Sequence, residues 1–143
     1  MTDDELKARV AIADRLGTCA QAGDARKVDA YAACFTEDGV LALDTAIEGR
    51  EAIRRWMAAP SVIPQPRSGT PGFISHHITS SRLEMTGPDT ARGRSYFLVT
   101  SAAGIDHNGY YDDTFRKEGG AWLIAYRKPR TLWISPTSVL NDG

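Results

Sequence analysis

Apolar residues near the start of the chain recur at helical spacing: Leu6, Val10, Ala13, Leu16 and Ala20. Lys7, Asp14 and Arg15 fall off this stripe and Arg9 sits at its edge. Thr2, Asp3 or Asp4 suits the helix start, with Glu5 complementing its dipole, and Gly23 suits its end. Asp24 then stands where a second helix wants its N-cap, and Val28, Tyr31, Ala32 and Phe35 form the apolar face of that helix. Glu37-Asp38-Gly39 reads as the turn that ends it. Residues 40–43 are a short apolar strand, and Glu48-Gly49-Arg50 is a second turn. A third helix over 51–58 turns Ile53, Trp56 and Met57 inward and closes at Pro60. Residues 61–72 hold three prolines and two glycines and read as a loop, either a plain connector or the rim of a pocket. From residue 73 the periodicity becomes that of strands. Runs at 73–85 and 90–101 pair through Thr86-Gly87-Pro88-Asp89. Runs at 110–117 and 121–132 pair through Glu118-Gly119-Gly120. Helices grouped first and hairpins after predict an α+β domain, with helices laid across a curved antiparallel sheet.

The chain has 143 residues, enough for one domain with a real core, so 1–143 is read as a single unit with a tail at 135–143 that frays or packs on a partner. Its 42% hydrophobic and 24% charged residues are an ordinary globular balance. The net charge of −1, without a basic cluster, argues against a nucleic-acid partner. No apolar run is long enough for a membrane span, and the acidic N-terminus lacks a signal-peptide core. Cys19 and Cys34 lack metal-ligand spacing and read as buried thiols rather than a disulfide. A reduced cytoplasmic setting is the expectation.

Glycine-rich phosphate loops, dinucleotide fingerprints, a nucleophile elbow and His-Glu-x-x-His are all absent from the sequence. The polar residues left for chemistry are Asp24, His76, His77, Tyr110, Tyr111, Asp112, Asp113 and Arg127. A histidine takes and returns protons near neutral pH, and an aspartate on one ring nitrogen fixes its tautomer and stabilises the imidazolium. Asp24 and His76 form such a pair only if the fold brings them together. On a regular strand His76 and His77 point to opposite faces, as do Asp112 and Asp113. The same divergence disfavours a metal site built from His76, His77, His107 and Asp112. Arg127 reads equally as the partner of a carboxylate.

Several stretches occur in an order that resembles the nuclear transport factor 2-like superfamily, and within it the SnoaL-like branch. They are Gly23-Asp24-Ala25-Arg26, Cys34-Phe35-Thr36-Glu37-Asp38-Gly39 and Glu48-Gly49-Arg50-Glu51-Ala52-Ile53, then the histidine strand His76-His77-Ile78-Thr79-Ser80-Ser81-Arg82-Leu83-Glu84. The hairpin Gly109-Tyr110-Tyr111-Asp112-Asp113-Thr114-Phe115-Arg116 with Gly120-Ala121-Trp122-Leu123-Ile124-Ala125-Tyr126-Arg127 completes them. The resemblance implies a cone-shaped α+β barrel, in which a strongly curved antiparallel sheet and three N-terminal helices enclose an apolar pocket. The superfamily includes scytalone dehydratase, hexachlorocyclohexane dehydrochlorinase, polyketide cyclases, ketosteroid isomerase and limonene epoxide hydrolase, as well as binding modules without catalysis. By resemblance Asp24 and His76 take the places of a catalytic aspartate–histidine dyad. Arg127 takes that of a pocket arginine, with Tyr111, Asp112, His77 and Trp56 facing the substrate. The two pocket tyrosines of scytalone dehydratase fall at Gly23 and Leu43, its second histidine near Ser95 and its asparagine near Asp112, so its electrophilic groups are not kept. The implied function is a lyase or isomerase without cofactor or metal, acting on a small, mostly apolar cyclic compound. The alternative is a non-catalytic small-molecule-binding protein or subunit. A homodimer or homotrimer is expected, with Trp133, Ile134, Val139 and Leu140 at the interface.

Overall fold

The structure is a computed structural model that describes residues 1–60 and 73–142. The expected loop at 61–72 lies outside the described residues.

Helix α1 (Asp3–Asp24) opens with the Thr2 hydroxyl accepting from the Glu5 N–H at 3.1 Å. It buries Ala8, Ile12, Leu16, Cys19 and Ala22 against the sheet. This is not the expected stripe. Leu6 and Val10 are exposed, because the helix is alanine-rich and small residues fit the sheet on a neighbouring face. The helix also runs through Gly23 to Asp24. Asp24 therefore caps no second helix. Helix α2 (Val28–Ala32) is a single turn that begins after Arg26, whose φ is +55°, and its N-cap Lys27 gives no side-chain bond.

Phe35, expected on that helix, instead opens strand β1 (Phe35–Ala42) fully buried. The expected turn at Glu37-Asp38-Gly39 lies inside this strand, where the register slips between Phe35 and Val40. A short strand β2 (Ala46–Glu48) precedes helix α3 (Arg50–Ala58), which buries Ile53 and Met57. Trp56, expected inward, is 42% exposed. Four long strands follow: β3 (Ile74–Gly87), β4 (Thr90–Ser101), β5 (Gly104–Glu118) and β6 (Ala121–Ile134).

The sheet order is β2-β1-β6-β5-β4-β3. It is mixed rather than purely antiparallel, because β1 runs parallel to β6. It is also open: β2 and β3 are edges, so the curved sheet forms a cone without closing into a barrel. Bulges in β3, β4–β5 and β5–β6 add bend and twist to strands of 12 to 15 residues. The core lies between the helices and the inner face of the sheet, around Ile12, Leu16, Tyr31, Phe35, Ile53, Phe115 and Ile124. Cys19 and Cys34 are free and buried in it.

Ser135 and Ser138 are buried, and a 3-10 turn (Val139–Asp142) follows them. Among the described residues no helix is long and apolar enough to cross a membrane.

Candidate active site

Asp24 projects from the last residue of α1 toward the edge strand β3. One carboxylate oxygen, Oδ2, accepts the backbone N–H of His76 at 2.8 Å. The other, Oδ1, lies 2.6 Å from His76 Nδ1. An edge strand has backbone donors that no neighbouring strand uses, and one of them is consumed here. The same carboxylate thus fixes the strand and the ring. With Nδ1–H bonded to it, Nε2 of the neutral imidazole carries the lone pair. Both side chains keep some exposure, 27% for His76 and 18% for Asp24, as a pair at a cavity wall would.

That cavity measures about 470 Å³ and lies between the helices and the inner sheet face. Tyr31, Leu41, Leu43, Met57, Ile74 and Phe97 give it apolar walls, and Trp56 stands at its margin, tilted against Tyr31. His76, Tyr111 and Arg127 also line it. Tyr111 packs on Phe97 with centroids 4.7 Å apart, and the Arg127 guanidinium lies 3.9 Å from the Tyr111 ring centre. Burial pushes the Tyr111 phenol well above its ordinary pKa, so it stays a neutral donor.

Arg127 is already paired. Its Nε and Nη2 donate to the two oxygens of Asp113 at 2.8 and 2.9 Å, and both side chains are buried. Burial opposes the guanidinium charge, but the facing Asp113 carboxylate, together with Cys19 and Tyr111, outweighs it and raises Arg127 well above its ordinary value. The carboxylate partner weighed from sequence is therefore present, and it is Asp113.

Two sequence candidates face away. His77 is exposed, with Nε2 3.2 Å from Thr100 Oγ1. Asp112 is half-exposed and bidentate to Arg94, which also covers the Tyr110 ring. Neither lines the cavity with His76, because strand alternation sends them to the opposite face. Among the described residues no group of three His, Cys, Asp or Glu side chains converges as a metal site.

The site also contains Asp106, which sequence reasoning missed, and His107, which it weighed only as a metal ligand. His107 lines the same cavity, with Nδ1 2.6 Å from Asp106 Oδ1. Strict alternation sends Asp106 and His107 to opposite faces. A bulge breaks it: His107 pairs with Val99 but Ile105 with Thr100, leaving Asp106 as the extra residue. Both side chains are consequently buried. For Asp106 the hint in the sequence was an acid next to a histidine after Gly104.

The SnoaL-like domain matches residues 4–128 of the chain. The chain belongs to the SnoaL-like family, within the nuclear transport factor 2-like superfamily. Among solved structures, this SnoaL-like chain resembles a protein of unknown function from Mycobacterium tuberculosis at 31% identity. That match covers 92% of this chain and 76% of the other, with a TM-score of 0.75. A candidate scytalone dehydratase from Novosphingobium aromaticivorans matches at 23% identity over 94% and 91% of the two chains, with a TM-score of 0.79. A hexachlorocyclohexane dehydrochlorinase from Novosphingobium barchaimii matches at 19% identity over 93% and 92%, with a TM-score of 0.76. At these identities the last two matches describe the fold. No curated protein matches the sequence significantly.

Proposed function

We propose that this SnoaL-like protein is a cofactor-independent lyase or isomerase that removes a proton from a carbon next to a carbonyl. Its substrate is a small, mostly apolar cyclic compound. The observation that carries this reading is the Asp24–His76 contact of 2.6 Å at the wall of an apolar-walled cavity of about 470 Å³. The cavity suits such a compound in size and lining.

The chemistry follows from the ring's orientation. Asp24 holds Nδ1–H, so His76 Nε2 accepts the carbon proton as the C–H bond breaks. The carboxylate then stabilises the imidazolium. The Tyr111 hydroxyl has no protein partner among the described residues, and its phenol stays neutral. It donates to the carbonyl oxygen as that oxygen gains charge. Arg127 is held by Asp113 and acts on the substrate only through Tyr111, whose ring it supports. His76 then returns the proton to another carbon of the enolate, giving isomerisation, or the enolate expels a leaving group, giving elimination. The names of the two Novosphingobium relatives, a dehydratase and a dehydrochlorinase, agree with the second outcome.

The test is α-proton exchange of a panel of cyclic ketones in D2O, followed by NMR. The wild-type protein should exchange these protons above the buffer rate. His76→Ala should lose about 100-fold or more, the usual contribution of a positioned base, and Asp24→Asn should lose much of the same. Wild-type exchange at the buffer rate across the panel, with saturable ligand binding, would mean a binding protein instead.

A further inference from the structure

Helix α1 and the edge strand β3 are pinned together at two points. At one, Asp24 accepts the His76 backbone N–H at 2.8 Å. At the other, Arg9 Nη1 donates to the Leu83 carbonyl at 3.1 Å, while Glu5 meets the Arg9 charge at 2.9 Å. About 22 Å of helix separates Arg9 from Asp24, and about 23 Å of strand separates Leu83 from His76. Helix and strand therefore run side by side between the pins.

Between these pins the helix offers only small side chains to the strand, those of Ala13, Gly17 and Ala20, and the strand bulges between Ile78 and Ser81. The two do not close on each other. A second cavity of about 570 Å³ lies in the gap, with Ile12, Leu16, Ile78, Leu83 and Phe115 as apolar walls. A Cβ on Gly17 would meet nothing within 4 Å. This cavity and that of the candidate active site have Ala20 and His76 as their common wall.

Two polar features of the second cavity are unspent. Ser95 lines it, is 3% exposed and accepts the Ser81 hydroxyl at 2.9 Å. The pair has two hydroxyl protons and one bond between them, so one buried donor lacks an acceptor among the described residues. The rim carries an unbalanced charge. On the neighbouring positions Arg92 pairs with Glu84 and Arg94 with Asp112, but Arg82, which also lines the cavity, faces no carboxylate among the described residues. The gap is thus a long apolar slot with a spare hydroxyl donor in its wall and one uncompensated cation at its rim.

We propose that this slot is a second binding site, for a monocarboxylate with an apolar chain such as a medium-chain fatty acid. Its carboxylate meets Arg82 and the spare hydroxyl proton of the Ser81–Ser95 pair. Its chain lies along Ala13, Gly17 and Ala20 toward His76. One negative charge matches the one uncompensated cation, and the apolar walls match the chain. The site stands apart from the proposed reaction, and neither depends on the other.

The experiment titrates decanoate and decan-1-ol, each below the concentration at which it self-associates, into the protein and follows the backbone amides by NMR. In the wild-type protein both should shift the Gly17 and Gly93 amides saturably, since both residues line the slot. Gly17→Leu fills the open gap, and leucine is the better helix former, so the fold is kept. It should weaken both ligands by about 10-fold or more, the worth of about two buried methylenes. Arg82→Gln should weaken decanoate by about 3-fold, an ordinary value for an exposed charge pair, and leave decan-1-ol unchanged. A wild-type protein whose Gly93 amide does not respond to decanoate overturns the proposal, and this arm needs no variant. Undiminished binding in Gly17→Leu overturns it by placing the ligand elsewhere. An equal effect of Arg82→Gln on the two ligands, or no effect on either, overturns the carboxylate assignment and with it the proposal.

Discussion

Arg127 and Asp113 carry opposite charges with side-chain exposures of 4% and 1%. Removing two ions from water costs several kcal/mol each, and their geometry repays it only while both are present. Asp113→Leu should therefore lower unfolding free energy by about 3–5 kcal/mol, because it strands a buried guanidinium. Arg127→Met combined with Asp113→Leu should recover most of that loss. Urea unfolding of the three proteins measures it. A single variant within about 1 kcal/mol of wild type, or a double variant no better than the single, would show that the pair is not desolvated as described. The same residue scale shows what the sequence could tell. The contact between Asp24 and His76 was legible because the resemblance aligns a helix end and a strand. Arg127 was legible as a pocket residue but not as a bound one: Asp113 was one of two adjacent acids, and only strand phase distinguishes it from Asp112.

Among the elements, β5 carries the most of the site and was the least completely read. Its expected start was residue 110, but the strand is Gly104–Glu118. The missed segment holds Asp106, His107 and Gly109, where polar residues and a bulge blur the two-residue period. β2 and the parallel β1–β6 pairing were equally invisible: a strand of 3 residues is too short to show a period, and pairing between residues some 90 apart leaves no local pattern. The hairpins and α3, in contrast, are local and were placed closely. On α1 the helix was legible but its phase was not, because alanines occur on every side. Within β5, Gly109 sits on the inner face between His107 and Tyr111. A Cβ there would meet the Arg130 carbonyl oxygen and come within 2.8 Å of the Phe97 ring. Neither neighbour is the loose end of a flexible chain. Gly109→Ala should cost about 1–3 kcal/mol as an overpacked position. It should also displace Phe97, against which both histidines pack. A thermal melt should fall by several degrees, about 2–8 °C per kcal/mol across domains of roughly this size. An unchanged melting temperature would mean that β5 and β6 are further apart here than described.

At the scale of the whole molecule, Asp106 joins the site to the end of the chain. Its carboxylate takes bonds from Ser101 at the end of β4, from His107 on β5, and from Ser138 and Val139 in the tail. Its backbone carbonyl also takes the Ser135 N–H at 2.8 Å. Burial alone would raise this carboxyl, but the bonds from Ser101, Ser138 and His107 outweigh it and hold it well below the usual carboxylate range. A carboxyl with a depressed folded-state pKa stabilises the fold above its unfolded value, about 3.9, and that contribution is lost as pH falls toward the folded value. Unfolding free energy should thus decline below about pH 4, with this one group supplying at most about 1.4 kcal/mol per pH unit. Asp38 and Asp112 are also lowered, chiefly by hydrogen bonds from Arg116 and Arg94, but those pairs are exposed and weaken in salt. Urea unfolding between pH 5 and pH 2 in 1 M NaCl therefore isolates Asp106. Wild type should keep its acid slope, and Asp106→Asn should be less stable at pH 5 and show a shallower one. Amide exchange at Val139 and Leu140 should speed up in the same variant, since the tail loses its anchor. Parallel slopes in the two proteins would mean that the buried carboxylate does not couple the tail to the pocket.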